Sequence, residues 1–405
     1  MGVSTATVAG SAALVLAFLA PTSLSAQAVP ADELPEGISV GGRARLVYDD
    51  NILRLRDDVP EVDGRRRDDL VGVVTGFASL NITPGMQRIR ATAEAGREYH
   101  TNNLFLNRTR VSAGLDWDWK VTPRCSGKAL SRYSQAQADL AEQGLIAANG
   151  RTIFDVSMGG GCDVAPGLRP TLTVQHREGS NSSFTRRASN FNAQAVEGGV
   201  SYNRTGKLGV ALNYRDERFT YPNRLRPEDG SVTEVRRRSV RGQVGGNVAE
   251  RIFYTITADY NWVDPNGTGE RFNGLAGGID LTVQPMPRYR IQLQALRSIE
   301  PALFVSAGYV LQDRLELGSV YTISPRTSLS LRGGVLRNRY RDLQPVNLAD
   351  IRTFDRLLFV AAGGSYDIAR NIRFDAELRR DGRLTDGAFG TYQGTRAVAT
   401  LSLAI

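Results

Sequence analysis

The stretch Val111-Ser112-Ala113-Gly114-Leu115-Asp116-Trp117-Asp118-Trp119-Lys120-Val121 alternates apolar odd positions with small or charged even positions. Successive side chains of an extended strand point to opposite faces, so this pattern predicts one apolar and one polar face. The same alternation recurs in residues 252–262 and 288–295, and in similar segments along most of the chain. The sequence therefore predicts a series of antiparallel strands.

The last residues, 397–405, still alternate in this way. A sheet edge presents unpaired backbone groups, and closing the sheet on itself removes both edges. In a membrane, closure is also how a β-structure satisfies all of its backbone hydrogen bonds. We therefore expect the last strand to pair with residues 39–48 and to close a transmembrane β-barrel.

Two classes of connection alternate between the predicted strands. Eight are short and rich in Pro, Gly, Asn and Arg: 83–85, 122–124, 165–167, 204–206, 249–251, 285–287, 324–326 and 369–371. Others are longer and more polar, such as 54–68, 140–150, 222–231 and 342–351. Outer-membrane barrels have short periplasmic turns and longer external loops. Eight short turns imply nine external hairpins, and hence an all-β, antiparallel up-and-down barrel of eighteen strands with periplasmic N- and C-termini.

The composition agrees with a membrane barrel. Of 405 residues, 41% are hydrophobic, and the mean hydropathy is −0.26. No run of eighteen apolar residues follows the N-terminal region, which excludes an ordinary helical membrane protein. The formal net charge of +8 is spread through the strands and is not clustered, so we expect no nucleic-acid partner.

The N-terminal region is typical of an export signal. Residues 8–20 form an apolar stretch too short to span a bilayer, and Ala26-Gln27-Ala28 supplies small residues for cleavage. The predicted organisation is a signal peptide at 1–28, a short periplasmic segment at 29–37 and the barrel at 38–405. The predicted location is the bacterial outer membrane.

The two cysteines, Cys125 and Cys162, flank a segment centred near residues 141–144 that is predicted to be a hairpin loop. Residues equidistant from a hairpin centre face each other across the ladder, close enough for a disulfide. In an exported protein we expect this bond to form and to act as a structural staple.

Two short stretches of the sequence carry a family resemblance. The first is Leu46-Val47-Tyr48-Asp49-Asp50-Asn51-Ile52-Leu53-Arg54, with the motif residues Tyr48, Asp49, Asp50, Asn51 and Arg54. It is similar to a signature near the start of the beta-barrel porin 2 family. The second, residues 321–329, resembles a recurring strand–turn–strand unit built around Ser-Pro-Arg. The resemblance implies a bacterial outer-membrane barrel associated with exopolysaccharide export. The motif itself has two interpretations, a turn that ends the strand or a site for a ligand or divalent cation.

The polar face of the predicted strands defines candidate pore-lining residues. They are Arg88, Arg90, Glu94, Glu98, Arg110, Asp116, Asp118, Arg215, Arg241, Asp259, Arg290, Arg332, Arg373 and Arg396. A barrel of this size leaves an aqueous channel, and rings of charge select its solutes. Most of these charges are expected to pair with one another, and the small arginine excess favours an anionic solute.

Sites for chemistry are sparse. His176 with Ser180 superficially resembles a hydrolase pair, and Asp116 with Asp118 a glycosidase pair. The first pair lies in a predicted loop with no third catalytic group, and the second is explained by charges that line the lumen. No cofactor, metal ligand or catalytic residue is predicted. We expect a channel for hydrophilic solutes, including exopolysaccharide, rather than an enzyme; the alternatives are a non-conducting structural or adhesion barrel and an outer-membrane hydrolase. Expected partners are outer-membrane lipid, the barrel assembly machinery and polysaccharide export proteins.

Overall fold

The computed structural model describes residues 36–405 except 57, 59–60, 62–64, 139–147, 204–206, 227–228, 267–269, 303–306, 344–351 and 387–390. The predicted signal peptide and the predicted turn at 204–206 lie outside the described residues. The strands are β1 (Gly37–Asp49), β2 (Asp69–Ile82), β3 (Arg88–His100), β4 (Arg108–Lys120), β5 (Cys125–Gln137), β6 (Gly150–Cys162), β7 (Leu168–Asn181), β8 (Phe191–Tyr202), β9 (Leu208–Leu225), β10 (Val232–Val248), β11 (Ile252–Pro265), β12 (Phe272–Met286), β13 (Tyr289–Pro301), β14 (Tyr309–Ser324), β15 (Thr327–Arg341), β16 (Phe354–Ala369), β17 (Ile372–Thr385) and β18 (Tyr392–Ala404).

These eighteen strands form one closed antiparallel sheet in which each strand pairs with its neighbours in sequence. Closure occurs between β1 and β18, from Gly41 opposite Ala404 to Asp49 opposite Arg396. Val40 and Ile405 extend this seam with two backbone hydrogen bonds of 3.0 and 2.8 Å. The predicted fold and strand count are therefore confirmed, and both described ends of the chain lie at the same end of the barrel.

The connections at the two ends differ in length, as the turn pattern predicted. The connections at one end, the short-turn end, have two to five residues, and those at the other, the long-loop end, have six to nineteen. Two of the short turns need glycine because Gly85 and Gly167 adopt φ of +62° and +80°. The largest boundary error is at Pro222 to Leu225, which belong to β9, since that strand extends beyond its neighbours and continues through a proline. Smaller errors of one or two residues occur where strands include Gly150, Pro285, Met286, Ser324 and Ala369.

The two faces of the sheet differ as the alternation predicted. Large apolar side chains remain exposed on the outer face, including Val74 (63%), Leu331 (55%) and Leu358 (63%). Such a continuous apolar exterior is unfavourable in water and suited to lipid. No helix of the described residues is long and apolar enough to cross a membrane.

The disulfide prediction is confirmed. Cys125 lies directly opposite Cys162 in the β5–β6 ladder, and the two sulfurs are bonded. The bond lies next to the short-turn end and links two strands that already share a full hydrogen-bonded ladder.

Candidate functional site

The strand register places all fourteen charged candidates on the inner face of the barrel. Arg90, for example, lies opposite Asp116, and Arg241 lies opposite Asp259, on the face away from the apolar row. Their contact with a solute remains a prediction, because the register fixes only which way these positions face.

Many of these inner charges are paired across strands. Arg90 contacts Asp118 at 3.1 Å, Lys128 contacts Asp116 at 3.2 Å and Arg332 contacts Glu377 at 2.6 Å. The Asp116 and Asp118 carboxylates thus have cationic partners within the wall. This arrangement matches the ion-pair interpretation of the two carboxylates and gives no support to a glycosidase pair.

The long-loop end of the β13–β14 hairpin bends into the barrel. Alternation would place Ile299 and Leu311 on the outer face, because Arg297 and Asp313, two residues away, are outward and partly exposed. Instead, Ile299 and Leu311 are only 1% and 2% exposed. Together with Tyr309, they form one apolar cluster with residues of the inner wall: Phe191, Ala193, Phe219, Tyr221, Val235 and Val263. The hairpin end therefore turns inward and packs against the inside of β8–β11.

Polar contacts hold the inward hairpin in place. The Tyr221 hydroxyl on β9 donates to the Gly308 carbonyl at 2.6 Å and accepts from the Ala302 backbone N–H at 2.7 Å. The Arg237 guanidinium on β10 donates to the Ile299 carbonyl at 2.8 Å. Since β10 and β9 are three and four strands away from β13, these contacts are made inside the barrel and not within the ladder.

A buried charge network lies beside this hairpin. Glu217 contacts Arg215 at 3.0 Å and also pairs with Arg237, and all three side chains are less than 10% exposed. Arg177 and Glu300 approach to 3.8 Å, which joins β7 to the hairpin. Because buried ions are costly unless paired, this part of the wall is suited to holding the hairpin rather than to contacting solutes.

One loop carboxylate lies beneath the hairpin end. Asp342 follows β15 with a positive φ of 54°, is 4% exposed and has one carboxylate oxygen without a hydrogen-bond partner. Burial raises the pKa of this carboxyl above its usual range, although Arg226 and Arg224 oppose the effect. Its backbone carbonyl accepts a hydrogen bond from Gly308 at 3.1 Å, so this loop residue is attached directly to the hairpin.

The opposite side of the lumen carries an arginine wall, defined here as Arg43, Arg45, Arg110, Arg379 and Arg396. Arg45 is close enough to Arg43, Arg110 and Arg396 to be repelled by their charges, and Arg396 is likewise repelled by Arg379. These residues lie on β1, β4, β17 and β18, away from the strands that the hairpin covers. Three carboxylates contact members of this wall: Glu94 lies 3.4 Å from Arg43, Glu98 lies 2.8 Å from Arg110 and Asp381 lies 3.3 Å from Arg379.

The family-like motif at the end of β1 forms a locked turn. The Arg54 guanidinium binds both carboxylate oxygens of Asp49, at 3.1 and 2.9 Å, and Arg54 has a φ of 56°. The Asn51 side chain donates to the carbonyls of Leu55 and Gln393 at 2.7 and 2.8 Å. Asp50 accepts from the Thr395 backbone N–H at 2.7 Å. The carboxylates and the amide are used in fastening the loop to β18, in accord with the turn interpretation, while Tyr48 faces outward.

The two histidines have unrelated surroundings. His176 and Ser180 are four residues apart on β7, about 13 Å along a strand, so they do not form the hydrolase pair considered from the sequence. His100 Nδ1 lies 3.0 Å from Asp69, whose carboxylate also accepts from Thr101, Asn102 and Asn103. This Asp69 cluster was missed by the sequence reasoning, and it ties the loop at 101–107 to the start of β2.

Comparison with known proteins gives fold-level likeness only. No family model matches the sequence, and no curated protein sequence matches it either. Among solved structures, the outer membrane protein opdK of Pseudomonas aeruginosa is 11% identical, with 91% of this chain and 99% of that chain covered and a TM-score of 0.48. OccK2 (OpdF) of the same organism, solved with glucuronate, is 10% identical, with 91% and 98% covered and a TM-score of 0.48.

A receptor shows a similar degree of likeness. The siderophore receptor PirA of Acinetobacter baumannii is 9% identical, with 92% of this chain and 81% of that chain covered and a TM-score of 0.46. Independently of these proteins, the closed sheet and its apolar exterior satisfy the requirements of a β-structure that spans a membrane. The chain is a closed eighteen-stranded β-barrel with the apolar exterior of a barrel that spans a membrane.

Proposed function

We propose that the barrel conducts hydrophilic solutes across the outer membrane and favours anionic ones. The observation that carries this proposal is the arginine wall, which faces the side of the lumen that the β13–β14 hairpin leaves uncovered. Charged rings in a narrow aqueous path select ions by sign. The long-loop end would face the cell exterior, and both chain ends the periplasm, as in other outer-membrane barrels.

Exopolysaccharide is the narrower form of this proposal, suggested by the family resemblance. An acidic polymer would have the charge that the arginine wall favours, but it would also have to pass the inward hairpin. Polysaccharide export proteins and the barrel assembly machinery are the partners expected for this role. A polymer-flux assay with acidic and neutral polysaccharides of equal length tests the narrower form.

Planar-bilayer recordings test the channel itself. In a KCl gradient, the wild-type barrel should show a reversal potential of anion-selective sign. The variant Arg45→Gln/Arg396→Gln should shift that potential towards zero or reverse it, because two cations of the wall are lost. The matched control Arg290→Gln/Arg373→Gln removes two inner arginines next to the short turns and should shift it less.

A folded barrel without conductance, even after release of the hairpin, would contradict the channel and favour the structural or adhesion alternative. Equal shifts in the two double variants would contradict the role assigned to the arginine wall. A far-UV circular dichroism spectrum typical of β-sheet and heat-modifiable migration on gels verify that each variant is folded.

A further inference from the structure

The outer face of β13–β16 carries arginines at its long-loop end. Arg297, Arg337, Arg339 and Arg356 surround one carboxylate, Asp313, and we call these four arginines the outer arginine patch. Asp313 lies directly opposite Arg297 on one side and Arg337 on the other. Charged side chains on the outside of a membrane barrel require an explanation, because the lipid-facing positions of such strands are apolar.

The charge of this patch is not balanced within the described residues. Asp313 pairs with Arg297 at 2.5 Å and with Arg339 at 3.0 Å. Arg337 lies directly opposite Arg356 in the β15–β16 ladder, and neither has an acidic partner within 4.0 Å in the part of the chain that the structure describes. Like charges directly opposite each other destabilise a sheet. Four arginines and one aspartate leave three positive charges for an external anion.

The position of the patch defines the level at which such an anion would bind. At positions two residues along each strand towards the middle of the membrane, the same outer face carries Ala295, Leu315, Val335 and Leu358. Leu315 and Leu358 are 47% and 63% exposed, as expected for contact with lipid chains. Two residues span about 7 Å along a strand. The patch thus lies just beyond the apolar band, at the level of lipid headgroups.

The other boundary of the same strands has a different character. There, the outer face carries Tyr289, Tyr321 and Tyr366, the aromatic residues typical of a membrane interface. Eight residues separate Tyr289 from Arg297, about 26 Å along a strand before tilt is considered. That distance agrees with an apolar band of about 25 Å. The arginines therefore belong to one leaflet only.

We propose that the outer arginine patch binds phosphate groups of anionic lipid in the leaflet at the long-loop end. Guanidinium groups bind phosphate oxygens in pairs of parallel hydrogen bonds, which makes arginine well suited to this role. A lipid phosphate would offset the repulsion between Arg337 and Arg356. The acyl chains of the same lipid would cover Leu315 and Leu358. The site lies outside the lumen, so it is independent of any transported solute.

Native mass spectrometry of the purified barrel tests the proposal with diphosphorylated lipid A as the probe. The wild-type barrel should retain this lipid, and enzymatically dephosphorylated lipid A should bind at least tenfold more weakly. A cation near an anionic membrane surface contributes on the order of 1 kcal/mol, which is about fivefold in affinity. The variant Arg337→Gln/Arg356→Gln should therefore bind diphosphorylated lipid A about 25-fold more weakly.

The matched control is Arg97→Gln/Arg187→Gln, which removes two exposed arginines at the same end but outside the patch. Each of these stacks on an aromatic ring, Tyr99 or Phe184, and neither belongs to β13–β16. The control removes the same net charge as the test variant, but its two arginines lie outside the patch and are screened from it. It should therefore bind diphosphorylated lipid A within about twofold of the wild type.

Three results would overturn the proposal. Equal loss of lipid in both double variants would show that only total charge matters. Equal binding of the phosphorylated and dephosphorylated lipids would exclude phosphate recognition. Displacement of bound lipid by millimolar inorganic phosphate would indicate a site for a free anion. Heat-modifiable migration of both variants, measured in parallel, keeps a folding defect distinguishable from loss of lipid.

Discussion

The two sides of the lumen use charged residues in different ways. Beneath the β13–β14 hairpin, Arg177, Arg215 and Arg237 are buried and compensated by Glu217 and Glu300. Across the lumen, the arginine wall is more exposed: the Arg43 and Arg110 side chains are 20% and 27% exposed, although Arg379 is buried and pairs with Asp381 at 3.3 Å. The same residue type therefore supports a folded element on one side and faces an aqueous path on the other. Burial, and not residue identity, decides which role an arginine has.

Releasing the hairpin should have the largest effect. Replacing Ile299 and Leu311 by Ser removes two buried apolar side chains, each contributing about 1.5–3 kcal/mol to packing. The hairpin end should leave the lumen, and single-channel conductance should rise while the barrel ladder remains intact. Ala295→Ser/Leu315→Ser, a neighbouring opposed pair on the same two strands, should leave conductance unchanged. Unchanged conductance in both variants would mean that the hairpin does not restrict the path.

Removing a charge from the buried network should lower the free energy of unfolding more than removing a charge from the arginine wall. Arg237→Gln leaves Glu217 with only one strong partner and removes the donor to Ile299, at a cost of about 2–3 kcal/mol in the free energy of unfolding. Arg43→Gln breaks a partly exposed pair with Glu94 and should cost less than about 1 kcal/mol. Denaturant unfolding in lipid bilayers measures both. Equal costs would remove the energetic distinction between the two sides.

Removing Arg54 should loosen only the turn at the end of β1 that this residue fastens. Arg54→Ala removes both hydrogen bonds to the buried Asp49 carboxylate and should speed proteolysis of the loop at 50–56, with little change in conductance. The matched control Arg56→Ala breaks an exposed pair with Asp58, whose side chains are 51% and 66% exposed, and should have no effect. A conductance change in Arg54→Ala as large as that of the released hairpin would assign this turn to the conducting path.

A small pH effect should be confined to the hairpin side. Burial raises the pKa of Asp342 in the folded state, so the protonated form favours folding. The resulting stabilisation is present below the unfolded pKa, and it is lost as pH rises through the raised folded value. Hairpin fluctuations in channel recordings should therefore decrease on acidification, and Asp342→Asn should remove that dependence. Asp386→Asn, a loop carboxylate hydrogen-bonded to Thr353, serves as the control. An unchanged pH response in Asp342→Asn would exclude Asp342 as its source.

Much of the barrel was predictable because its signals are local. A period of two assigns every strand residue to a face, so Arg90, Asp116 and Arg396 were placed on the inner face without any structure. Short turns between strands carry Pro and Gly, which gave the count of eighteen. The pairing of Cys125 with Cys162 followed from symmetry about one hairpin centre.

The inward hairpin could not be predicted in the same way. Ile299 and Leu311 alternate with their neighbours as lipid-facing residues do. Their pattern therefore predicts contact with lipid, whereas both residues pack inside the barrel. One signal was present: each lies beyond a charged outward residue, Arg297 or Asp313, on the side away from the membrane. Ile299 and Leu311 lie beyond this charged row and hence beyond the lipid-facing band, and they are buried against the inner wall instead.

The sequence by itself determined the closed barrel, its strand count and the polarity of its two faces, because these follow from periodicity and turn chemistry between neighbours. Only the tertiary structure decided which part of the lumen is covered and which arginines are buried. Those properties depend on contacts between strands that are not neighbours in the chain, such as Tyr221 with Gly308 and Arg237 with Ile299. No local pattern encodes them, because each arises only when the folded barrel brings distant residues together.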